Sequence, residues 1–171
     1  MGKWETVYCL FCEAQSEAAV IAYLRVLGLE AISPATVRLA VRRGREVREN
    51  RRMLPGYVFV YASAAPDFRQ LSRISGVLRA LKYNDGSYAL TGADLAFAAW
   101  LYANGGVIDV SAAIQAGTKI KIIDGPLRDY GGRIVKVDKK RKSVAVEIGL
   151  GGAVKLVWAS FALIEQAPEG A

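Results

Sequence analysis

The sequence predicts an α+β domain, with an antiparallel sheet and flanking helices, joined to a small SH3-like all-β barrel. Strand and helix patterns alternate up to a pair of glycines at 105–106, and short strand patterns without a long helix follow. A chain of 171 residues is long enough for two small domains. We therefore expect a first domain over 1–105, a linker over 106–116 and a barrel over 117–171.

The elements of the first domain follow from apolar patterning together with cap and turn residues. Aromatic and β-branched residues predict strands over 4–11, 35–41, 46–53, 57–62, 78–83 and 88–90. Helical spacing of apolar residues behind a cap residue predicts helices over 16–28, 66–74 and 91–103. The segments Arg42-Arg43-Gly44-Arg45 and Asn84-Asp85-Gly86 predict the turns of two hairpins.

The second domain reads as a series of short strands. The expected strands cover 118–123, 133–138, 143–148 and 154–157. Turn signals separate them: Gly125-Pro126, a basic run over 139–142, and a glycine-rich stretch over 149–152. Closing these strands into a barrel would remove unpaired sheet edges.

Composition limits the class of protein. Hydrophobic residues make up 53 % and charged residues 23 %, as is typical of globular chains. The net charge of +7 favours polyanionic partners, although solubility alone explains it equally well. No apolar run reaches the ~20 residues of a membrane span, and Glu5 stands where a signal peptide has its apolar segment. A cytoplasmic protein without membrane association is expected.

The residues for common catalytic sites are missing. The chain has no histidine, so neither a Ser-His nor a Cys-His nucleophile pair can form, although carboxylate or lysine chemistry remains formally possible. Cys9 and Cys12 form a C-x-x-C, but a zinc site needs four ligands and a redox motif usually opens a helix rather than ending a strand. We expect two reduced thiols, no catalytic residue, no metal and no cofactor.

Two stretches, in order, resemble one known family. The segment 53–60, M-L-P-G-Y-V-F-V, resembles the signature of the N-terminal domain of the NusG family, and the opening strand, Ile74-Ser75-Gly76-Val77 and Ala89-Leu90-Thr91 match its neighbouring motifs. Residues 117–127 and 130–134 resemble a KOW motif, which marks small barrels in this family and in ribosomal proteins. The resemblance covers nearly the whole chain. It implies an elongation factor that rides on RNA polymerase and is not an enzyme.

The resemblance implies a polymerase-binding concavity on the first sheet, facing an apolar-tipped helical hairpin of the polymerase clamp. The matching positions are Tyr8, Phe11, Leu54, Tyr57 and Val77. For each of these side chains the alternative is an ordinary core position.

Basic residues form two candidate nucleic-acid sites. Arg42, Arg43 and Arg45 lie in an arginine-rich hairpin that could contact DNA near the polymerase cleft, or could form a solvated tip. In the barrel, the candidates lie at the two ends of one strand and could follow a duplex backbone such as an RNA hairpin: Arg128, Arg133, Lys139, Lys140, Arg141 and Lys142. The alternative for the barrel is a basic surface without a defined ligand.

The resemblance implies a mechanical role in which the first domain holds the clamp closed, pauses become rarer and elongation becomes processive. The chain resembles the specialised LoaP branch more than the general factor, because Gly149-Leu150-Gly151-Gly152 replaces an aromatic-glycine-arginine tip. In this family the barrel usually binds the termination factor Rho or a ribosomal protein that also acts in antitermination. This departure puts binding of both partners in doubt. We expect a monomer. The alternatives are a ribosome-associated or free RNA-binding KOW protein, and an enzyme acting on RNA.

Overall fold

The central sheet of the first domain has two long antiparallel strands in its middle. The computed structural model describes residues 4–130 and 133–164. β1 (Thr6–Cys12) pairs with β5 (Tyr57–Ala62), as the sequence predicts. Two short strands, β2 (Glu30–Ile32) and β6 (Val77–Ala80), complete the sheet in the order β2-β5-β1-β6.

Each face of this sheet is covered. One face packs against α1 (Glu17–Val26) and α2 (Phe68–Ser72), which lie over the alternating side chains of β1 and β5 that include Leu10 and Val60. The other face carries Phe59 and packs against α3 (Gly92–Ala103). Because side chains alternate along a strand, the parity of a residue in β1 or β5 decides which cover it meets.

A long hairpin projects from the first domain. It consists of β3 (Ala35–Arg42) and β4 (Arg45–Arg52), which are joined by the expected two-residue turn. β7 (Val107–Ile108) pairs with β3 in parallel. Most side chains of β4 are exposed, so this arm depends on β3 and β7 for its position.

The second domain is a five-stranded sheet with a single helical turn. Its strands are β8 (Ser111–Ala116), β9 (Lys119–Asp124), β10 (Arg133–Asp138), β11 (Ser143–Leu150) and β12 (Ala153–Leu163), and α4 (Pro126–Asp129) follows β9. The order is β10-β11-β12-β8-β9, and β12 pairs with β8 in parallel. The expected strands are present, and the last one runs six residues further than expected.

At two stretches the structure differs from the sequence prediction. The stretch 106–116, expected as a linker, contains β7 and β8, because the side chains of Ile108, Ser111 and Ala113 are fully buried. The expected strand over 88–90 is absent from the described sheets. Here Leu90 is buried, and its amide donates to the carbonyl of Val7 in a single bond that does not extend into a ladder.

Both domains contribute to one apolar core. Phe59, Phe97 and Leu101 of the first domain belong to the same buried cluster as Val144 and Phe161 of the second. The second domain therefore completes its core with side chains from α3 and the central sheet.

Candidate functional site

Three of the five expected polymerase-binding residues meet on the sheet face that α3 covers. The rings of Phe11 and Tyr57 are cross-strand partners, and their centroids lie 5.0 Å apart in an edge-to-face arrangement. Both rings are half-buried. Leu54 is buried in the same apolar cluster. These residues form one patch at the end of the sheet, which we call the aromatic end.

The other two residues lie on the opposite face. Tyr8 is buried against Phe68 of α2, with ring centroids 5.1 Å apart. Val77 packs in the same cluster beneath α1 and α2. The five expected residues are therefore divided between two faces, because Tyr8 and Phe11 stand three positions apart on a strand with a period of two.

Cationic side chains lie over the aromatic end. The guanidinium of Arg79 is 4.5 Å from the centroid of the Phe11 ring. The ammonium of Lys155, which belongs to β12 of the second domain, is 5.2 Å from the centroid of the Tyr57 ring. Cation–π contacts of this kind contribute about 0.5–1 kcal/mol at exposed sites. The second domain thus covers part of this patch.

Glu17, which no motif in the sequence indicates, fixes the turn that leads into Tyr57. Its side chain is 1 % exposed, and its carboxylate accepts a hydrogen bond from the amide of Gly56 at 2.9 Å. The other oxygen is 3.0 Å from the guanidinium of Arg52, as an ion pair without an aligned hydrogen bond. Burial alone would raise the pKa of Glu17, but the hydrogen bonds and the charge of Arg52 lower it. An acid 39 residues before its partner leaves no local signal in the sequence.

The turn between β11 and β12 fits against the first domain. Leu150 is buried in the shared core. Gly151 and Gly152 have φ values of +61° and +84°, as a two-residue type I′ turn requires. A Cβ atom on Gly151 would come within 3.1 Å of the Leu81 side chain, so the first domain also restricts this position.

A second contact between the domains is aromatic. The rings of Trp100 on α3 and Tyr130 are stacked with their centroids 4.4 Å apart. The indole of Trp100 donates a hydrogen bond to the carbonyl of Pro126 at 2.9 Å. Burial, followed by the charge of Asp94, raises the pKa of Tyr130.

The hairpin arginines differ in whether an acidic side chain pairs with them. Arg42 forms a two-pronged contact with Glu49, with nitrogen–oxygen distances of 3.0 and 3.3 Å. Arg43 and Arg45 are exposed at the turn. Arg48, lower on β4, pairs with Asp109. The turn therefore presents two exposed guanidinium groups beside one that is paired.

The basic residues of the second domain lie at separate places. Arg128 donates to the carbonyl of Ile123, and Lys139 donates to the carbonyl of Thr118. Lys140, Arg141 and Lys142 are exposed in the turn between β10 and β11. The side chain of Arg133 lies outside the described residues.

The two thiols are separate and buried. Cys9 belongs to the cluster beneath α3 and Cys12 to the cluster beneath α1. Both are free, and burial, with the charge of Glu17, raises the pKa of Cys12 to about 11. Burial also raises the pKa of Cys9. Across residues 4–130 and 133–164, no group of three or more acidic or cysteine side chains is placed to hold a metal ion.

The fold is that of a two-domain protein with an α+β first domain and a KOW-like β second domain. A family model described as "Transcription termination factor nusG" matches residues 3–95, which is more than half of the chain. The chain belongs to the NusG family, whose members are non-enzymatic transcription factors that bind RNA polymerase.

A solved structure supports the two-domain fold. It is described as "Domain interaction in Thermotoga maritima NusG", and it covers 91 % of this chain and 93 % of its own, with 19 % sequence identity and a TM-score of 0.50. Among curated proteins, no significant match was found. Within the part of the chain that the structure describes, no helix has the length and apolar character needed to cross a membrane.

Proposed function

We propose that this protein is a cytoplasmic, monomeric elongation factor that binds the clamp of RNA polymerase through Phe11, Leu54 and Tyr57. The observation that supports this role is the half-buried aromatic pair at the end of the central sheet, beside the buried Leu54. Large aromatic side chains are common anchors at protein interfaces. An apolar helical tip could replace the cations that now lie over the rings. Holding the clamp closed would suppress pausing and promote readthrough.

Tyr8 and Val77 take a supporting role in this proposal. Both pack beneath α1 and α2, on the face opposite the aromatic end. They support the strands that carry Phe11 and Tyr57 without contacting the clamp themselves. Substitution of either residue should then affect stability before it affects polymerase binding.

The second domain would have to move for the clamp to bind. Lys155 lies over Tyr57, and Leu150 occupies the shared core. The proposed binding face is therefore partly occupied within the same molecule. Polymerase binding would compete with this closed arrangement and select molecules in which the domains have separated.

The finer parts of the function rest on charge and on the tip sequence. The exposed Arg43 and Arg45, with Arg42, would contact DNA near the cleft, and the basic ends of the second domain would contact an RNA hairpin. A tip reduced to Leu150 between glycines favours a specialised paralogue of the LoaP kind that acts at selected operons. Rho or ribosomal protein binding is disfavoured, because Leu150 is buried in the closed form.

The test is transcription in vitro with the cognate polymerase on a template that carries a strong pause and an intrinsic terminator. The protein should shorten the pause and raise readthrough. Tyr57→Ala should abolish both effects, and the matched control Tyr23→Ala should keep them. Tyr23 is an equally aromatic side chain, 51 % exposed on α1 at the opposite side of the sheet.

A third variant tests the closed arrangement. Leu150→Asp places a charge in the shared core and should raise polymerase affinity by opening the domains. Retention on immobilised polymerase measures this affinity directly. Absence of retention and of any effect on transcription would contradict the proposal and favour the ribosome-associated or free RNA-binding alternative.

A further inference from the structure

A groove runs between the hairpin of the first domain and the outer face of β12. Its volume is about 300 Å³, and it is separate from the aromatic end. Arg38 and Arg51 line it from the hairpin, and Leu156 and Trp158 line it from β12. Arg141, in the turn after β10, also lines it. We propose that this groove binds single-stranded RNA, with a base stacked on Trp158 and phosphates held by the arginines.

The apolar wall of the groove is exposed. Trp158 is 41 % exposed and Leu156 is 50 % exposed, although their neighbours Val157 and Ala159 are buried. The two exposed residues alternate along β12 and therefore share its outer face. An accessible indole beside a second apolar side chain is a stacking platform, since every nucleic-acid base has a flat apolar face.

The basic wall is positioned by the hairpin register. Arg51 lies opposite Thr36, and Arg38 follows Thr36 by two positions, so both arginines point to the same face of the hairpin. Arg38 takes part in no ion pair among the described residues. The contact from Arg51 to Glu49 is 4.0 Å long, at the outer limit of an ion pair. These two guanidinium groups remain available for phosphate.

The turn after β10 adds a further positive charge to the groove. The side chain of Arg141 is 79 % exposed, and its contact with Asp138 is 3.9 Å long. Asp138 is the one acid among the lining residues, against four arginines, of which Arg52 is paired with Glu17. The resulting excess of positive charge lies within reach of the indole, as a stacked nucleotide and its phosphates require.

The size and chemistry of the groove select a single strand of RNA. Bases in a duplex are stacked on one another and cannot present a face to Trp158, whereas single-stranded bases can. Ser143, Ser160 and Asp138 also line the groove, and their side chains carry hydroxyl and carboxylate groups. They can exchange hydrogen bonds with a 2′-hydroxyl, which DNA lacks. We therefore assign the groove to RNA.

This inference does not depend on polymerase binding. The groove has walls from both domains, so the ligand would bind the closed form of the free protein. By linkage, RNA in the groove would oppose the domain opening that clamp binding needs.

The test measures binding of the full-length chain, without polymerase, to a fluorescently labelled single-stranded RNA 12-mer by anisotropy. Trp158→Ala should weaken binding about tenfold, as loss of one base stack predicts. Trp158→Phe should retain most of the affinity. Arg38→Ala and Arg51→Ala should each weaken binding and lower the salt-dependence slope by about one. Arg25→Ala, which removes an exposed charge on α1 outside the groove, is the matched control and should change affinity less than either.

Intrinsic fluorescence separates stacking from general attraction. RNA should quench tryptophan emission in the wild type, and the quenching should disappear in Trp158→Phe although binding remains. Equal effects of Arg25→Ala and Arg38→Ala, together with no effect of Trp158→Ala, would overturn the proposal. Tighter binding of a perfect hairpin that Trp158→Ala weakens would overturn the assignment to a single strand, and equal binding of DNA of the same sequence would overturn the assignment to RNA.

Discussion

The carboxylate of Asp94 on α3 accepts a hydrogen bond from the amide of Gly151, with 3.1 Å between the oxygen and the nitrogen. The same oxygen accepts a hydrogen bond from the hydroxyl of Tyr83 at 2.5 Å. Asp94 is 7 % exposed, so one buried carboxylate ties the β11–β12 turn of the second domain to the first domain. Hydrogen bonds to a charged group contribute about 1.5–3 kcal/mol each.

Asp94→Ala should loosen the contact between the domains. The substitution removes the acceptor of the Gly151 amide, which is the bond that joins the two domains, and this should cost the closed form about 2 kcal/mol. The Tyr83 hydroxyl, in the first domain, also loses its acceptor. Trp100, stacked on Tyr130 and 7 % exposed, can report this change if Trp4 and Trp158 are replaced by phenylalanine. Its emission should move to longer wavelength as water reaches the indole. Glu46→Ala, which removes an exposed acid from β4, is the control and should not shift the emission. Unchanged emission in Asp94→Ala would contradict the role of the carboxylate.

Glu17 should make the protein sensitive to acid. Its pKa in the folded protein is lowered, so its contribution to the free energy of unfolding is present above the usual carboxyl range and is lost as pH falls through the folded pKa. Glu17→Gln should destabilise the protein by about 1–3 kcal/mol at pH 7. The difference from wild type should be smaller at an acidic pH, below the ordinary carboxyl pKa of 4.5, than at pH 7. Urea unfolding at the two pH values measures this, and a constant difference would show that the charge of Glu17 is not responsible.

Gly56→Ala should lower the free energy of unfolding by more than the positive φ of this residue alone predicts. Its φ of +84° is costly for alanine, and a Cβ atom would come within 2.9 Å of the backbone carbonyl of Cys12. Gly28 has a nearly equal φ of +82° with open space around its Cβ direction. Gly28→Ala should therefore cost about 1 kcal/mol, and Gly56→Ala clearly more. Equal losses in thermal unfolding would mean that the turn adjusts freely.

Neither thiol should react in the native protein at pH 8. A pKa of about 11 leaves roughly one Cys12 thiolate in a thousand at this pH, and Cys9 is fully buried. A disulfide reagent should therefore modify both thiols rapidly in urea and slowly without it. A Cys9–Cys12 disulfide found by mass spectrometry in the native protein would contradict this, because the two side chains face opposite sides of the sheet.

The sequence was sufficient for the elements with strong local signals. The pairing of β1 with β5, the β3–β4 turn and the helix over Gly92–Ala103 follow from apolar runs and turn residues. The sequence predicts a linker where β7 and β8 lie, because these strands are short and most of their residues are small. Their strand structure depends on partners distant in the chain. Ser111 is buried beside Gly125, and this tertiary contact cannot be predicted from the local sequence pattern.

The candidate site was predictable in part for the same reason. Family resemblance indicated Phe11, Leu54 and Tyr57, which do come together. It also indicated Tyr8, which the alternation of β1 turns to the other face. Lys155 lies 98 residues from Tyr57 in the chain, so its contact with that ring could be found only from the structure.

The short distance between β7 and β8 limits how the molecule can rearrange. β7 belongs to the hairpin sheet and β8 to the second domain, and residues 109–110 alone separate them. Two residues span at most about 7 Å. A separated second domain would therefore pivot about this point, because it is not attached through a long flexible linker. Whatever it recruits would be delivered within one domain diameter of the hairpin, in directions that the pivot allows. The short connection would then restrict the orientation of the second domain relative to the hairpin. Insertion of glycine and serine residues at 109–110 should broaden the range of orientations.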